Sequence, residues 1–154
     1  MNPHSENALP AATLTAEIVV DPSALDDNEH VNNVVYLEWI QDAARRHARE
    51  SGVAEATRAA GCVWVVSEHR IRYLKPAVLG DALSITTWVE NVRRALSLRR
   101  TRIVRGRDGA VVVEASTNWA FVDRGTGKPR RVPASVAERF LVSEGPVRGG
   151  GVPC

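Results

Sequence analysis

The sequence is short of cysteine, of long apolar runs and of net charge, and each shortage removes a class of protein. Its 154 residues include two cysteines, Cys62 in an apolar stretch and Cys154 at the last position. A pair so placed makes neither a disulfide framework nor a metal-ligand spacing, which fits a reducing compartment. No segment approaches the roughly 18 consecutive apolar residues of a membrane span. The opening residues, MNPHSENALPAA, lack the basic start and apolar run of a secretory signal. Twenty Lys and Arg against 18 Asp and Glu leave a net charge of +2, too mild on its own to imply nucleic acid or a membrane surface. The expectation is a soluble, cytoplasmic chain without a membrane span. A hydrophobic content of 44% is enough for one globular domain with a core of its own.

Hydrophobic period then divides the chain. Residues 1–12 and 143–154 are rich in Gly, Pro and small polar residues without a period, and are expected to be loosely ordered around a single domain at 13–142. Leu14, Ala16, Ile18 and Val20 alternate with their neighbours as in a strand with one buried face. In NNVVYLEWIQDAARRHARES, residues Tyr36, Leu37, Ile40, Ala43, Ala44, His47 and Ala48 fall on one helical stripe, and Gly52 ends it. A short Ala-rich turn follows. Val63, Val65, Ser67, His69, Ile71 and Tyr73 share one strand phase that stops at Lys75-Pro76. Leu83 to Val89 and Ala95 to Arg105 give two more strands. Asp108-Gly109 marks a tight turn into a fifth strand at Val111 to Phe121. Ser135 and Glu138 have capping-box spacing before a short terminal helix.

One strand, one long helix and four strands on short connections describe an α+β domain: a five-stranded antiparallel sheet that buries one face by wrapping around the helix. The second face still carries Val112, Ala120 and Trp88, which one helix cannot also cover, so self-association is expected.

The chemistry concentrates directly before the long helix. Asp26-Asp27-Asn28-Glu29-His30-Val31-Asn32-Asn33 places two Asp, three Asn, one Glu and one His within eight residues, far more than a helix cap requires. A helix N-terminus offers free N–H groups and a positive dipole to an oxygen gaining charge. A carboxylate just upstream can act on the same carbon as base or nucleophile. These are the parts for hydrolysing an activated acyl group. An acyl group with a good leaving group suits so sparse a site, because expelling it needs no strong general acid.

The arrangement Asp26-x-x-x-His30-Val31-Asn32-Asn33-x-x-Tyr36-Leu37-Glu38 resembles the signature of hotdog-fold thioesterases, in particular bacterial long-chain acyl-CoA thioesterases and plant acyl-ACP thioesterases. A second block, Ile71-Arg72-Tyr73-Leu74-Lys75-Pro76-Ala77-Val78-Leu79-Gly80-Asp81, is similar to theirs as well. The likeness runs roughly from Ala16 to Val132. It implies a five-stranded sheet around a long helix, paired as a homodimer or homotetramer with sites at the interface. It also implies hydrolysis of a fatty acyl-CoA to free acid and CoA with no cofactor. By the resemblance Asp26 is the catalytic carboxylate, Asn28 and His30 orient water or polarise the substrate, and the backbone N–H of Asn33 meets the thioester carbonyl. Asn32 and Tyr36 of the same motif are expected to contact substrate. Glu29 stands where many relatives have Gly or Gln, and Asp27 adds a second carboxylate that shares the neighbourhood of Asp26. An acyl-ACP thioesterase, a hotdog dehydratase or hydratase, and a non-catalytic acyl-CoA binding module are the rival readings.

Seven arginines from Arg93 to Arg107, with no acidic residue among them, read as a solvated basic hairpin. Its functional alternative is a dock for the CoA phosphates or an acidic carrier protein, with Arg99 and Arg100 as binding residues. No nucleic-acid motif accompanies the charge. His47 and His69 lack ligand-spaced partners and read as structural, with no metal expected. Cys62 reads as a small core residue, and Gly125-Thr126-Gly127-Lys128-Pro129 as a turn.

Overall fold

A computed structural model describes residues 12–141. The stretches expected to be loosely ordered therefore fall outside the described residues apart from Ala12, as does Cys154. The elements are β1 (Thr13–Val19), α1 (Asn33–Glu50), α2 (Val53–Ala59), β2 (Cys62–Tyr73), β3 (Ala82–Arg93), β4 (Leu96–Arg105), β5 (Val111–Asp123) and α3 (Ala134–Leu141). The strands form one antiparallel sheet in the order β1-β3-β4-β5-β2, with α1 packed against it. This is the expected hotdog arrangement.

The stripe on α1 does what its spacing requires. Tyr36, Ile40, Ala43, Ala44 and His47 are buried, while Leu37 and Ala48 are half-buried. The small Ala43 and Ala44 let the helix axis lie close to the sheet. Around the first half of α1 one apolar cluster gathers Leu14, Ile40, Leu83, Ile85, Ile103 and Val113. A second, at the other end of the sheet, gathers Val53, Cys62, Val89, Phe121, Val136 and Phe140. Cys62 is buried there as expected.

The helices correct two sequence expectations. The Ala-rich turn is the helix α2, anchored by buried Val53 and Thr57; at seven residues it is too short to show a period. Gly52 separates α1 from α2 at φ +87°, and a Cβ there would meet Arg139 Nη1 at 2.7 Å. Ser135 lies inside α3 rather than at its cap.

The single phase read for β2 is broken by a bulge at Ser67, since Val66 pairs with Trp119 and Glu68 with Asn118. Cys62 and Trp64 therefore face the core, and Val65 is 44% exposed. A second bulge, where Val104 pairs with Val111 and Ile103 with Val113, turns Val112 into the core. The outer face is consequently not the apolar surface expected. Trp88 is covered by the Arg102 guanidinium 5.6 Å from its ring centroid, and Arg100 pairs with Glu90 and Arg72 with Glu114 beside it.

Candidate active site

The acidic loop folds as a small hairpin. Leu25 bridges Val31, Asp26 N–H donates to the His30 carbonyl at 2.8 Å, and Asn32 N–H to the Ala24 carbonyl at 2.8 Å. At its tip the Asp26 carboxylate turns back on the loop, where Oδ1 accepts from the N–H groups of Asn28 at 2.8 Å and His30 at 3.2 Å. Oδ2 has no protein hydrogen bond among the described residues. Asp26 is half-buried, whereas Asp27, Asn28, Glu29 and His30 are exposed. The turn holds Glu29 at φ +62°, a left-handed conformation that a side chain adopts at some cost. Asn28 and His30 share the wall of a depression of about 310 Å³ with Val78 and Leu79.

The hairpin delivers the chain to the tip of α1. Asn32 is the N-cap, its Oδ1 accepting from Val34 N–H at 2.9 Å, so its side chain is committed to the helix rather than free for substrate. Asn33, the first helical residue, is exposed, and its own N–H has no acceptor among the described residues. Its carbonyl accepts from the Tyr73 hydroxyl at 3.3 Å, tying the helix tip to the end of β2. Tyr36 is 3% exposed, packed on Trp39 and Tyr73, and its hydroxyl is buried without a partner. Burial raises its pKa above the ordinary value. It supports the helix tip from the core instead of standing open to solvent.

A brace behind this loop was not foreseen in the sequence. Val31 N–H donates to the Ala77 carbonyl at 3.0 Å. The segment carrying Ala77 is held in turn by Asp81, whose carboxylate accepts from Val78 N–H at 2.9 Å and Arg107 Nε at 2.8 Å. Hydrogen bonding to Arg107 keeps the Asp81 carboxyl below its ordinary pKa. Arg105 reaches the Pro76 carbonyl at 2.6 Å and pairs with Asp108 at 2.7 Å. The resemblance block around Pro76 to Asp81 thus shapes the loop, and two arginines of the basic hairpin serve it from behind.

Neither arginine singled out for binding lies at this loop. Arg100 is on the sheet face away from α1, paired with Glu90 at 2.6 Å. Arg99, expected in a solvated hairpin, is 3% exposed. The reason is strand phase: Ile103 faces the core, so Thr101, Arg99 and Ser97 do too, and Leu96 is left 48% exposed. Arg99 Nη1 donates to His47 Nδ1 and to Thr87 Oγ1, each at 3.0 Å. Thr87 meets Thr101 at 3.1 Å, and His69 meets Thr117 at 2.9 Å in the same polar layer. This layer separates the two apolar clusters. Burial lowers the pKa of Arg99 to about 9. Burial, with the neighbouring guanidinium, lowers that of His47 to about 4. Among the described residues no set of three His, Cys, Asp or Glu could hold a metal ion, and no helix is long and apolar enough to cross a membrane.

With fold and loop in view, comparison with known proteins is informative. A family model described as the thioesterase-like superfamily matches residues 20–140, and the chain belongs to that family; it is a thioester hydrolase of hotdog fold. The long-chain acyl-CoA thioesterase FadM of Escherichia coli is 28% identical over 127 residues, 82% of this chain and 96% of FadM. The palmitoyl-acyl carrier protein thioesterase of Arabidopsis thaliana chloroplasts is 30% identical over 99 residues, 64% of this chain and 22% of that enzyme. Among solved structures, the probable thioesterase YbaW of Escherichia coli superposes with a TM-score of 0.77 at 27% identity. That match covers 82% of this chain and 98% of YbaW.

Proposed function

We propose that the enzyme hydrolyses fatty acyl-CoA at the tip of α1, with Asp26 as the reacting carboxylate and the Asn33 N–H as oxyanion donor. The observation that carries this reading is the Asn33 N–H, which has no acceptor among the described residues and opens an 18-residue helix at the end of the Asp26 hairpin. A carbonyl oxygen placed there gains the helix dipole and one hydrogen bond as it becomes an alkoxide. Asp26 is oriented by the two loop amides on Oδ1, which leaves Oδ2 to act. As base, Oδ2 takes a proton from water while the water oxygen bonds to the thioester carbon. The tetrahedral species then expels CoA as thiolate, and the proton follows. As nucleophile, Oδ2 itself bonds to that carbon, CoA leaves, and water opens the resulting anhydride. Single turnover in ¹⁸O-labelled water separates the two, because only the anhydride route can leave label in Asp26. Asn28 and His30, side by side in the depression, hold the water or the substrate.

The site is shared between two copies of the chain in this reading. β2 is an edge strand of 12 residues with no partner on its outer side among the described residues, and exposed Val65 and Tyr73 lie along it. Antiparallel pairing of two such strands about their midpoint brings Trp64 of one copy near Ile71 and Tyr73 of its mate. Tyr73 is bonded to Asn33, so each helix tip would adjoin the other copy's second apolar cluster.

The test is Asp26→Asn with a thiol-trapping assay on an acyl-CoA series and on acyl carrier protein thioesters. Asparagine still accepts both loop amides, so the fold is kept while kcat falls by about 10²–10⁴. Retention of wild-type kcat would overturn the assignment.

A further inference from the structure

A pocket partly open to solvent adjoins the second apolar cluster. Between α1, α2, β2 and β4 lies a cavity of about 610 Å³, lined by apolar groups that include Cys62, Trp64 and Phe140. Two buried donors on its wall are incompletely satisfied among the described residues. Arg99 lines it and is 3% exposed, yet no carboxylate lies within 4 Å of it among the described residues. Its bonds run from Nη1 alone to neutral His47 and Thr87. Trp119 lines it as well, and its indole N–H is buried without a partner among the described residues. The two donors sit on adjacent rungs of one sheet face, since Ser97 pairs with Trp119 and Arg99 with Thr117. Arg45, Arg49, Arg58 and Arg124 line it too, and no Asp or Glu does among the described residues.

A buried cation left without an anion is costly, and a buried N–H without an acceptor adds to that cost. A ligand carrying an anionic oxygen acceptor removes both penalties at once. The remaining wall is apolar enough for a hydrocarbon chain. We propose that this cavity selects acyl groups bearing a carboxylate at the end remote from the thioester, the carboxylate being held by Arg99 and Trp119. The inference rests on the thioesterase reading for the acyl chain but not for the cavity itself. A cavity built to satisfy such donors discriminates against a methyl terminus, which would leave the Trp119 N–H unpaired and Arg99 without an anion.

The experiment compares acyl-CoA series of matched length ending in methyl, hydroxyl or carboxylate, assayed with wild type, Arg99→Met, Arg99→Lys and Trp119→Phe. At the length that fits, the wild-type ratio of kcat/KM for carboxylate over methyl ends is expected to exceed one. In Arg99→Met that ratio falls at least about tenfold, through KM, as expected for loss of a charge-assisted hydrogen bond. Arg99→Lys restores part of it, and Trp119→Phe lowers it in the same direction. If Arg99→Met does not fold, Trp119→Phe carries the comparison. Wild type that prefers methyl or hydroxyl ends at every length, or a ratio indifferent to these substitutions, overturns the proposal. Binding of free dicarboxylates and monocarboxylates, followed by tryptophan fluorescence, separates the two readings. Arg99-dependent binding of the diacid without hydrolysis of any thioester would sink the proposed reaction and leave the cavity assignment standing.

Discussion

His47 gives the sharpest stability prediction. Its ring is 5% exposed on the sheet side of α1, with Nδ1 accepting from Arg99, so the neutral tautomer carries its proton on Nε2. Protonation would place a second cation beside a buried guanidinium, and Glu50, the acidic group acting on it, does not compensate. The folded pKa is lowered from 6.5 to about 4. Between those values the unfolded chain binds the proton and the folded chain does not, so stability falls as pH drops from 6.5 toward 4 and levels off below. At about 1.4 kcal/mol per tenfold change in proton affinity, the loss is about 3 kcal/mol. Urea denaturation of wild type and His47→Gln at pH values from 7.5 down to 4 measures it. Glutamine keeps an acceptor for Arg99 and cannot titrate, so the variant should decline less than wild type, the remaining slope coming from His69, whose pKa burial also lowers. The lowered carboxyl pKa values of Asp81 and Asp108 keep their contributions intact above the ordinary 3.8, so they do not mask this window. Parallel curves for the two proteins would refute the reasoning.

Three further outcomes are expected. Asn32→Ala removes the α1 cap and should cost about 1 kcal/mol in chemical denaturation, while Asn32→Asp, which keeps the acceptor, should cost less. Asp81→Ala releases both Val78 and Arg107 behind the loop; a stability loss of about 1–3 kcal/mol should accompany a drop in kcat for acyl-CoA hydrolysis, although Asp81 touches no substrate. Sedimentation at low micromolar concentration should give twice the chain mass, and a monomer with full specific activity would refute a shared site.

How much of this was legible beforehand depended on whether local pattern and tertiary phase agreed. α1 and β1 carry uninterrupted periods, and both formed within about a residue of expectation. The loop before α1 was legible because its polar density exceeds what a cap needs; helix geometry implied free N–H groups at the start of α1, and the resemblance singled out that of Asn33. β2 was misread because a bulge at Ser67 leaves no mark in composition. The arginines of β4 were misread for the opposite reason. Charge suggests solvent, yet the phase set by Ile103 points Arg99 inward, and that phase was the available signal. The Asp81 brace joins residues 26 apart through Arg107, a contact that no local pattern announces.

The extra residue at Ser67 lets one strand serve two chambers. Upstream of it, Cys62 and Trp64 look into the pocket; downstream, Ile71 packs at the end where the helix begins. Replacing Trp64 with a smaller side chain would therefore enlarge one chamber without repacking the other chamber of the same chain. The fold can change what it accepts while leaving intact the apparatus that breaks the bond.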